Sequence, residues 1–388
     1  MKKIKVAIVA HSCRDGGSLV IMRDILKSLK DIACDEQFMV ICSAGCGYEE
    51  IEMPAGSELF VYKGKQSALK RYWFEEVTLP KIVDTYNPDV IFGIGNTGLT
   101  NPRAPQALFI QQGWLIYDKK HYPDMSLWLQ MRLFSLNLQI KKSLPATGLV
   151  FCQTPVVKQR FSEKYWYPQN QIEILRFPPP AEITAKPDAR TPSFLDKSSG
   201  NFYVLLLTRY LPHRNPNILM PLCQRYESQI REKQIKFITT IEEHDDPLAG
   251  IFLKNISNRS LEDVIINVGQ LSREDVSRYL SNSDVLWLPT LVETLCIPYL
   301  EAMSLGVPIM APDLDFARYV CGEAALFYDP WNLESIYDRI VLLRENPSFC
   351  KELSTRGKTN LTDRERFAKD WTEVASDVLV NLRKLLRK

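Results

Sequence analysis

Several patterns are scarce in this sequence, and each scarcity removes a class of function. No apolar run reaches the roughly 18 residues that a membrane-spanning helix needs. The 9 cysteines, at positions 13, 34, 42, 46, 152, 223, 296, 321 and 350, are scattered and odd in number. They form no C-x-x-C pair, which argues against a disulfide framework or a zinc site and for reduced thiols in a cytosolic protein. The 4 histidines are dispersed and suggest no metal centre. Charge of one sign is also missing: 48 Lys and Arg against 46 Asp and Glu give a net charge of +2, which disfavours nucleic acid as the main partner.

What is present suits a large α/β protein. At 388 residues and 45% apolar content the chain can bury two or three cores. Strand signals alternate with helical periodicity, the pattern of βαβ units and parallel sheets. Ile4 to Ala10 reads as a first buried strand rather than a signal peptide, because Lys5 interrupts the run and His11, Arg14 and Asp15 follow at once. Further strands are expected at 37–43, 89–93, 107–111 and 148–153, with helices at 69–86 and 126–144. Residues 178–200 hold five prolines and end in Ser198-Ser199-Gly200, a composition that reads as a linker. A second α/β unit follows, with strands expected at 202–207, 235–240, 264–268, 285–288, 308–311 and 325–327. A last helix is expected over 365–388, anchored by Phe367 and Trp371.

The most telling segment runs from Val285 to Pro308. Val285 to Leu288 lacks polar alternation and stops at Pro289, as a fully buried strand does. Pro298 suits the first turn of a helix, and Gly306 with Pro308 ends it. Glu293 therefore falls on the strand-to-helix loop and Glu301 in the first turns, at the edge where open α/β sheets bind ligands. Free N–H groups at a helix start attract phosphate, and a carboxylate accepts hydrogen bonds from a sugar or ribose diol. Phosphate and polyol together suggest a nucleotide-sugar.

With its Glu-x7-Glu pair, this constellation resembles the retaining GT-B glycosyltransferases of family 4. The likeness extends to Asn267-Val-Gly-Gln-Leu271, Ser283–Pro289, Gly306–Asp313 and Ala324–Pro330. It is dense over about residues 200–345 and looser before them. It implies a GT-B fold, two Rossmann-like doubly wound parallel-sheet domains facing across a cleft. Residues 1–180 would form the acceptor-side domain, completed by the helix at 365–388, with 181–200 as linker and 201–364 as donor domain. The resemblance assigns Glu301 to the donor ribose, Glu293 to the sugar hydroxyls, and Arg209 with Arg214 to the diphosphate. Backbone around Gly16 and Gly17, on the loop that joins the first strand to its helix, and around Thr294, Leu295, Cys296 and Ile297 would complete the cradle, with Gly269 and Leu271 flanking the base.

Two departures from the family stand out. Relatives commonly carry Phe-Gly where this chain has Leu295-Cys296, and that glycine lets backbone amides approach the sugar. Many also have a histidine where this chain reads Gln111-Gln112, so either glutamine is a candidate contact to the donor sugar. A literal G-x-G-x-x-G at Gly93-Ile-Gly95-Asn-Thr-Gly98 is read as accidental, because Pro102 and Pro105 prevent the helix that a dinucleotide site needs. No nicotinamide cofactor is expected.

The expected function is transfer of a hexose from a nucleotide-diphosphate-sugar to a glycan or lipid-linked acceptor, in cell-surface polysaccharide or glycolipid synthesis. No metal is expected, since the cleft offers no Asp-x-Asp motif and the two arginines supply the positive charge. An epimerase on the same fold and an inactive nucleotide-sugar-binding protein stay open. The expected location is cytoplasmic. Aromatic and basic residues mix at 70–74, at 164–167, around Trp128 to Lys142 and in the tail, so contact with the inner face of the membrane also stays open.

Overall fold

A computed structural model describes residues 3–14, 16–32, 35–63, 68–118, 125–179, 192, 195 and 197–387. Most of the expected linker therefore lies outside the described residues. The chain divides into two compact units, Met1–Ile116 with Ser126–Pro178 and Ala368–Lys388, and Tyr117–Met125 with Pro179–Phe367. Each contains one wholly parallel sheet with helices in the crossovers.

The first sheet has seven strands: β1 (Ile4–Val9), β2 (Glu36–Ser43), β3 (Glu58–Tyr62), β4 (Val90–Ile94), β5 (Gln106–Phe109), β6 (Thr147–Cys152) and β7 (Ile172–Ile174), in the order β3-β2-β1-β4-β5-β6-β7. The apolar runs of β1, β2, β4 and β5 are almost wholly buried, as strands covered on both faces must be. The edge strands β3 and β7 were not among the expected elements. Being short and partly exposed, they lack the continuous apolar run that marked the others.

The helix expected over 69–86 is broken. Ala68–Trp73 and Leu79–Tyr86 are α-helical, but Phe74–Thr78 is a turn of π-helix in which Leu79 N–H reaches back to the Phe74 carbonyl. Pro80 explains the break, because it has no N–H to continue the ladder and its ring crowds the preceding turn. The last helix starts at Trp371, later than expected, where Asp370 caps the Glu373 N–H at 2.9 Å. It packs against Gly16–Ile32, and its Arg383 meets the buried Glu36 at 2.6 Å. Trp371 stacks obliquely on Phe177, with ring centroids 5.2 Å apart.

The second sheet has six strands: β8 (Phe202–Leu206), β9 (Ile235–Thr239), β10 (Ile265–Asn267), β11 (Val285–Trp287), β12 (Ile309–Pro312) and β13 (Ala325–Tyr328), in the order β10-β9-β8-β11-β12-β13. Its core includes Trp287, fully buried, whose indole N–H donates to the Tyr328 hydroxyl at 2.9 Å. Helix Ile297–Leu305 carries Pro298 in its first turn and closes on Gly306 at φ 69°, where only glycine is at ease.

Candidate functional site

The second sheet winds from β8 outward through β9 to β10, then returns to place β11 on the other side of β8. Strand order reverses between β8 and β11, and the carboxyl ends at such a switch point are where open α/β sheets bind ligands. Two loops leave from there and are stitched together. Leu291 N–H donates to the His213 carbonyl at 2.7 Å, and the Thr290 hydroxyl reaches the same oxygen at 3.3 Å. This brings Arg214 Nη2 to 3.2 Å from Glu293 Oε1, although 79 positions separate the two residues.

Electrostatics follow from that burial. The Glu293 side chain is 13% exposed and that of Arg214 26%. Burial pushes the Glu293 carboxyl above the usual range, while Arg214 and Thr290 pull it back. Among the described residues, Arg214 Nε and Glu293 Oε1 make no aligned hydrogen bond, so the pair is close in distance yet incompletely satisfied. His213 is buried, and burial with the adjacent Arg214 charge holds its pKa well below the ordinary value. It is therefore neutral at pH 7.

Arg209 takes a different partner from Arg214. Its Nε donates at 2.8 Å to Asp245, which also accepts the Tyr210 and Glu242 N–H groups at 2.9 and 3.1 Å. Burial opposes ionisation of Asp245, but these three donors outweigh it and keep the carboxylate charged. Arg209 is thus fixed on a buried anion with its guanidinium half exposed. After β10, Gly269 adopts φ 71°, and a Cβ there would sit 2.7 Å from Glu242 Oε1, the atom that accepts the Gln270 N–H. Leu271 beside it is half-buried.

Thr294, Leu295 and Cys296 are buried at the start of helix Ile297–Leu305, and Ile297 is half-buried. Cys296 takes φ 60° and ψ 71°, the left-handed conformation that a glycine adopts freely. A cysteine held in this conformation is strained. Burial first, and then the nearby Glu293 charge, push its thiol well above the ordinary pKa. Glu301 is half-buried within the helix; burial raises its carboxyl to about 7, with Arg273 opposing.

The second unit contains one Asp-x-Asp triplet, after β12. Asp313-Leu314-Asp315 follows β12, but Asp313 binds Arg318 at 2.6 Å and Asp315 accepts the Tyr117 hydroxyl at 2.9 Å. Among the described residues no three His, Cys, Asp or Glu side chains are grouped to hold a metal ion.

In the first unit the switch lies between β1 and β4. Gly16 and Gly17, expected on the loop, instead open helix Gly16–Ile32, both exposed, with Gly16 at φ 58°. Gln111 and Gln112 follow β5, and their N–H groups converge on Asn96 Oδ1 at 2.7 and 3.0 Å. No helix follows Gly93–Gly98, so the G-x-G-x-x-G is a loop rather than a dinucleotide fingerprint. Beside it lies a cavity of about 210 Å3, walled in part by His11, Glu75, Thr97, Thr100 and Gln139. His11 Nε2 meets Glu75 Oε1 at 3.0 Å, and Arg71 binds the same oxygen at 2.7 Å. Burial works against the Glu75 charge, but His11 and Arg71 prevail and lower its pKa.

The two parallel sheets with their switch-point loops define a protein of the GT-B class. Residues 191–360 match the model of the family described as Glycosyl transferases group 1. The O-antigen chain mannosyltransferase B of Escherichia coli is 20% identical over 58% of this chain and 59% of its own length. An MMP alpha-(1->4)-mannosyltransferase of Mycolicibacterium hassiacum is 24% identical over 41% of this chain and 37% of its own. The chain thus spans less than two thirds of either relative. Among solved structures, HepE of Anabaena in complex with UDP and glucose has a TM-score of 0.69 at 15% identity, covering 98% of this chain and 100% of that one.

Asp245, Asn96, the His213 carbonyl and the His11–Glu75–Arg71 cluster escaped the sequence reading. Asp245 lies in a run of acidic residues before Pro247, which signals a turn but not a partner. The other three show themselves only once the strands are ordered.

Proposed function

We propose that this protein is a retaining, metal-independent glycosyltransferase of family 4. It moves a hexose from a nucleotide-diphosphate-sugar to a glycan or lipid-linked acceptor in polysaccharide or glycolipid synthesis. The observation that carries the reading is the Arg214–Glu293 pair across the β8–β11 switch, with Glu301 in the helix beyond. Arg214 and the helix N-terminus bind the diphosphate, and Arg209, steadied by Asp245, adds a second cation. Glu293 accepts from sugar hydroxyls and Glu301 from the ribose diol.

In the reaction the bond from the anomeric carbon to the leaving phosphate oxygen breaks through an oxocarbenium-like state. The acceptor hydroxyl attacks from the same face, and its proton passes to the departing phosphate. No protein nucleophile is needed. Arg214 stabilises charge that grows on the leaving group, which makes its contribution larger in the transition state than in the bound donor. The acceptor is assigned to the first unit, beside the cavity that His11 and Glu75 line.

The test is a panel of nucleotide-sugars scored by slow hydrolytic release of nucleotide diphosphate, with and without EDTA. Nucleotide-diphosphate-mannose heads the panel because two relatives are named mannosyltransferases, and UDP-glucose follows because HepE was solved with UDP and glucose. Release from one donor in EDTA supports the reading. Turnover to an epimeric nucleotide-sugar without release would favour an epimerase, and binding without any release an inactive binding protein.

A further inference from the structure

The cavity of about 210 Å3 in the first unit is lined by two kinds of residue. Val9, Leu79 and Ile91 are apolar and buried, whereas Glu75, Thr97, Thr100 and Gln139 are polar. A cavity of about 150 Å3 holds benzene, so this one has room for a single six-membered ring with its substituents. Glu75 is fixed before any ligand arrives. It lies in the π-helical turn Phe74–Thr78, a form that recurs at functional sites. Its Oε1 accepts from His11 Nε2 at 3.0 Å and from Arg71 Nε at 2.7 Å. The His11 ring stands edge-on to Phe74 with centroids 5.2 Å apart, and the Ser43 hydroxyl donates to the His11 carbonyl at 2.7 Å.

The second carboxylate oxygen is less engaged. Among the described residues, Glu75 Oε2 accepts only from Gln139 Nε2, at a long 3.4 Å. An ionised carboxylate accepts about four hydrogen bonds, so capacity remains for a ligand O–H. Charge then decides the ligand class. Burial opposes ionisation of Glu75, but His11 and Arg71 hold its carboxyl below the ordinary range, so it is anionic at neutral pH. Glu76 adds a second carboxylate to the lining, and among the described residues no Lys or Arg lines the cavity. Arg71, outside the lining, offsets one of the two charges. A phosphate or uronate placed here meets net repulsion. A saturated ring bearing hydroxyls fits, because its C–H faces meet the apolar residues while its hydroxyls donate to Glu75. We infer that this cavity binds one uncharged pyranose unit, the sugar that accepts the transferred hexose, and that Glu75 selects it over a phosphorylated or acidic sugar. The inference rests on the glycosyltransferase reading above and narrows the acceptor to a neutral sugar end, since a lipid phosphate does not suit this lining.

The experiment is saturation-transfer NMR of the full chain without donor. The probes are the methyl pyranosides of mannose, glucose and galactose, with mannose 6-phosphate and glucuronate as anionic sugars. Binding is expected for at least one methyl pyranoside, and about tenfold weaker binding for the two anionic sugars. Thr97→Phe, which fills the cavity from its loop, should remove the signal. Glu75→Gln keeps the shape but leaves Arg71 uncompensated, so neutral sugars should weaken by about tenfold while anionic ones gain. A merely structural loss would not shift that preference. Circular dichroism matching the parent shows that the variants fold. No signal from any methyl pyranoside, equal or stronger binding of the anionic sugars to the parent, or an unaltered preference in folded Glu75→Gln overturns the inference. Nucleotide diphosphate release from the donor is scored separately. Donor hydrolysis with no pyranoside bound defeats this inference alone, whereas pyranoside binding with no donor hydrolysed supports the cavity assignment and defeats the donor reading.

Discussion

Glu301 gives the account a quantitative pH signature. Its carboxyl titrates at about 7 in the folded chain against 4.5 as a model side chain, because burial penalises the charged form more than Arg273 relieves it. A folded value above the unfolded one means that stability is fully present below pH 4.5 and is lost as pH rises through about 7. The shift corresponds to roughly 3 kcal/mol at most, and partial solvent access reduces it. A ribose diol needs the ionised carboxylate as acceptor, so donor binding must expel the proton held below pH 7. Below about pH 7 the folded chain holds that proton, so donor binding there should release a measurable fraction of a proton. Titration calorimetry of the intact nucleotide-sugar in two buffers of different ionisation heat measures this. Affinity should rise by up to about tenfold per pH unit from pH 5.5 toward 7 and then level. The Glu301→Gln variant should bind more weakly, without released protons and without that slope. Proton release of zero in the parent chain, or equal release in the variant, refutes the assignment.

Three further outcomes follow from the geometry. Arg214→Ala leaves Glu293 buried beside no cation and should cost about 1–3 kcal/mol, whereas Arg214→Ala with Glu293→Gln should cost less than the sum; additivity within about 0.5 kcal/mol in urea unfolding would contradict the pairing. Cys296→Gly should hold the φ 60° backbone and keep donor affinity within a few-fold, whereas Cys296→Val should lose about 2 kcal/mol of stability, because a β-branched side chain resists that conformation. Gly95→Ala, where a Cβ would fall 1.9 Å from Ser12 Oγ at φ 148°, should cost about 2 kcal/mol or more by thermal melting; a neutral result would show that this loop is not fixed as described.

What could be read from the residues depended on whether the signal was local. The segment 285–308 was legible because strand, loop, Pro298 and Gly306 each report on their own neighbourhood, and the helix indeed runs Ile297–Leu305. The β8 to β13 strands were legible for the same reason, being short apolar runs between turn signals. The π-helical turn at 74–78 was not, since Pro80 signals a break but not which carbonyl the ladder will choose. Gly16 and Gly17 were placed on a loop because glycine marks turns, yet an exposed first helical turn tolerates them equally well. The partners of Arg209 and Arg214 lay beyond reach: their spacing suggested a common diphosphate, and nothing local distinguishes a cation held by Asp245 from one held by Glu293. That distinction depends on β9 and β11 flanking β8, a property of sheet order. Cys296 is the reverse case, a departure in residue type at a position whose backbone is left-handed, as a glycine adopts freely.

The central claim is that a nucleoside diphosphate sits at the β8–β11 switch point of the second sheet. Amide hydrogen exchange of the full chain, with and without the nucleoside diphosphate of its donor, tests this most directly. Slowed exchange is expected in residues 208–215, 268–271 and 293–301, diminished in Arg214→Ala and Glu301→Ala. Protection centred instead on residues 93–98, or none in 293–301 at saturating nucleotide, would contradict it.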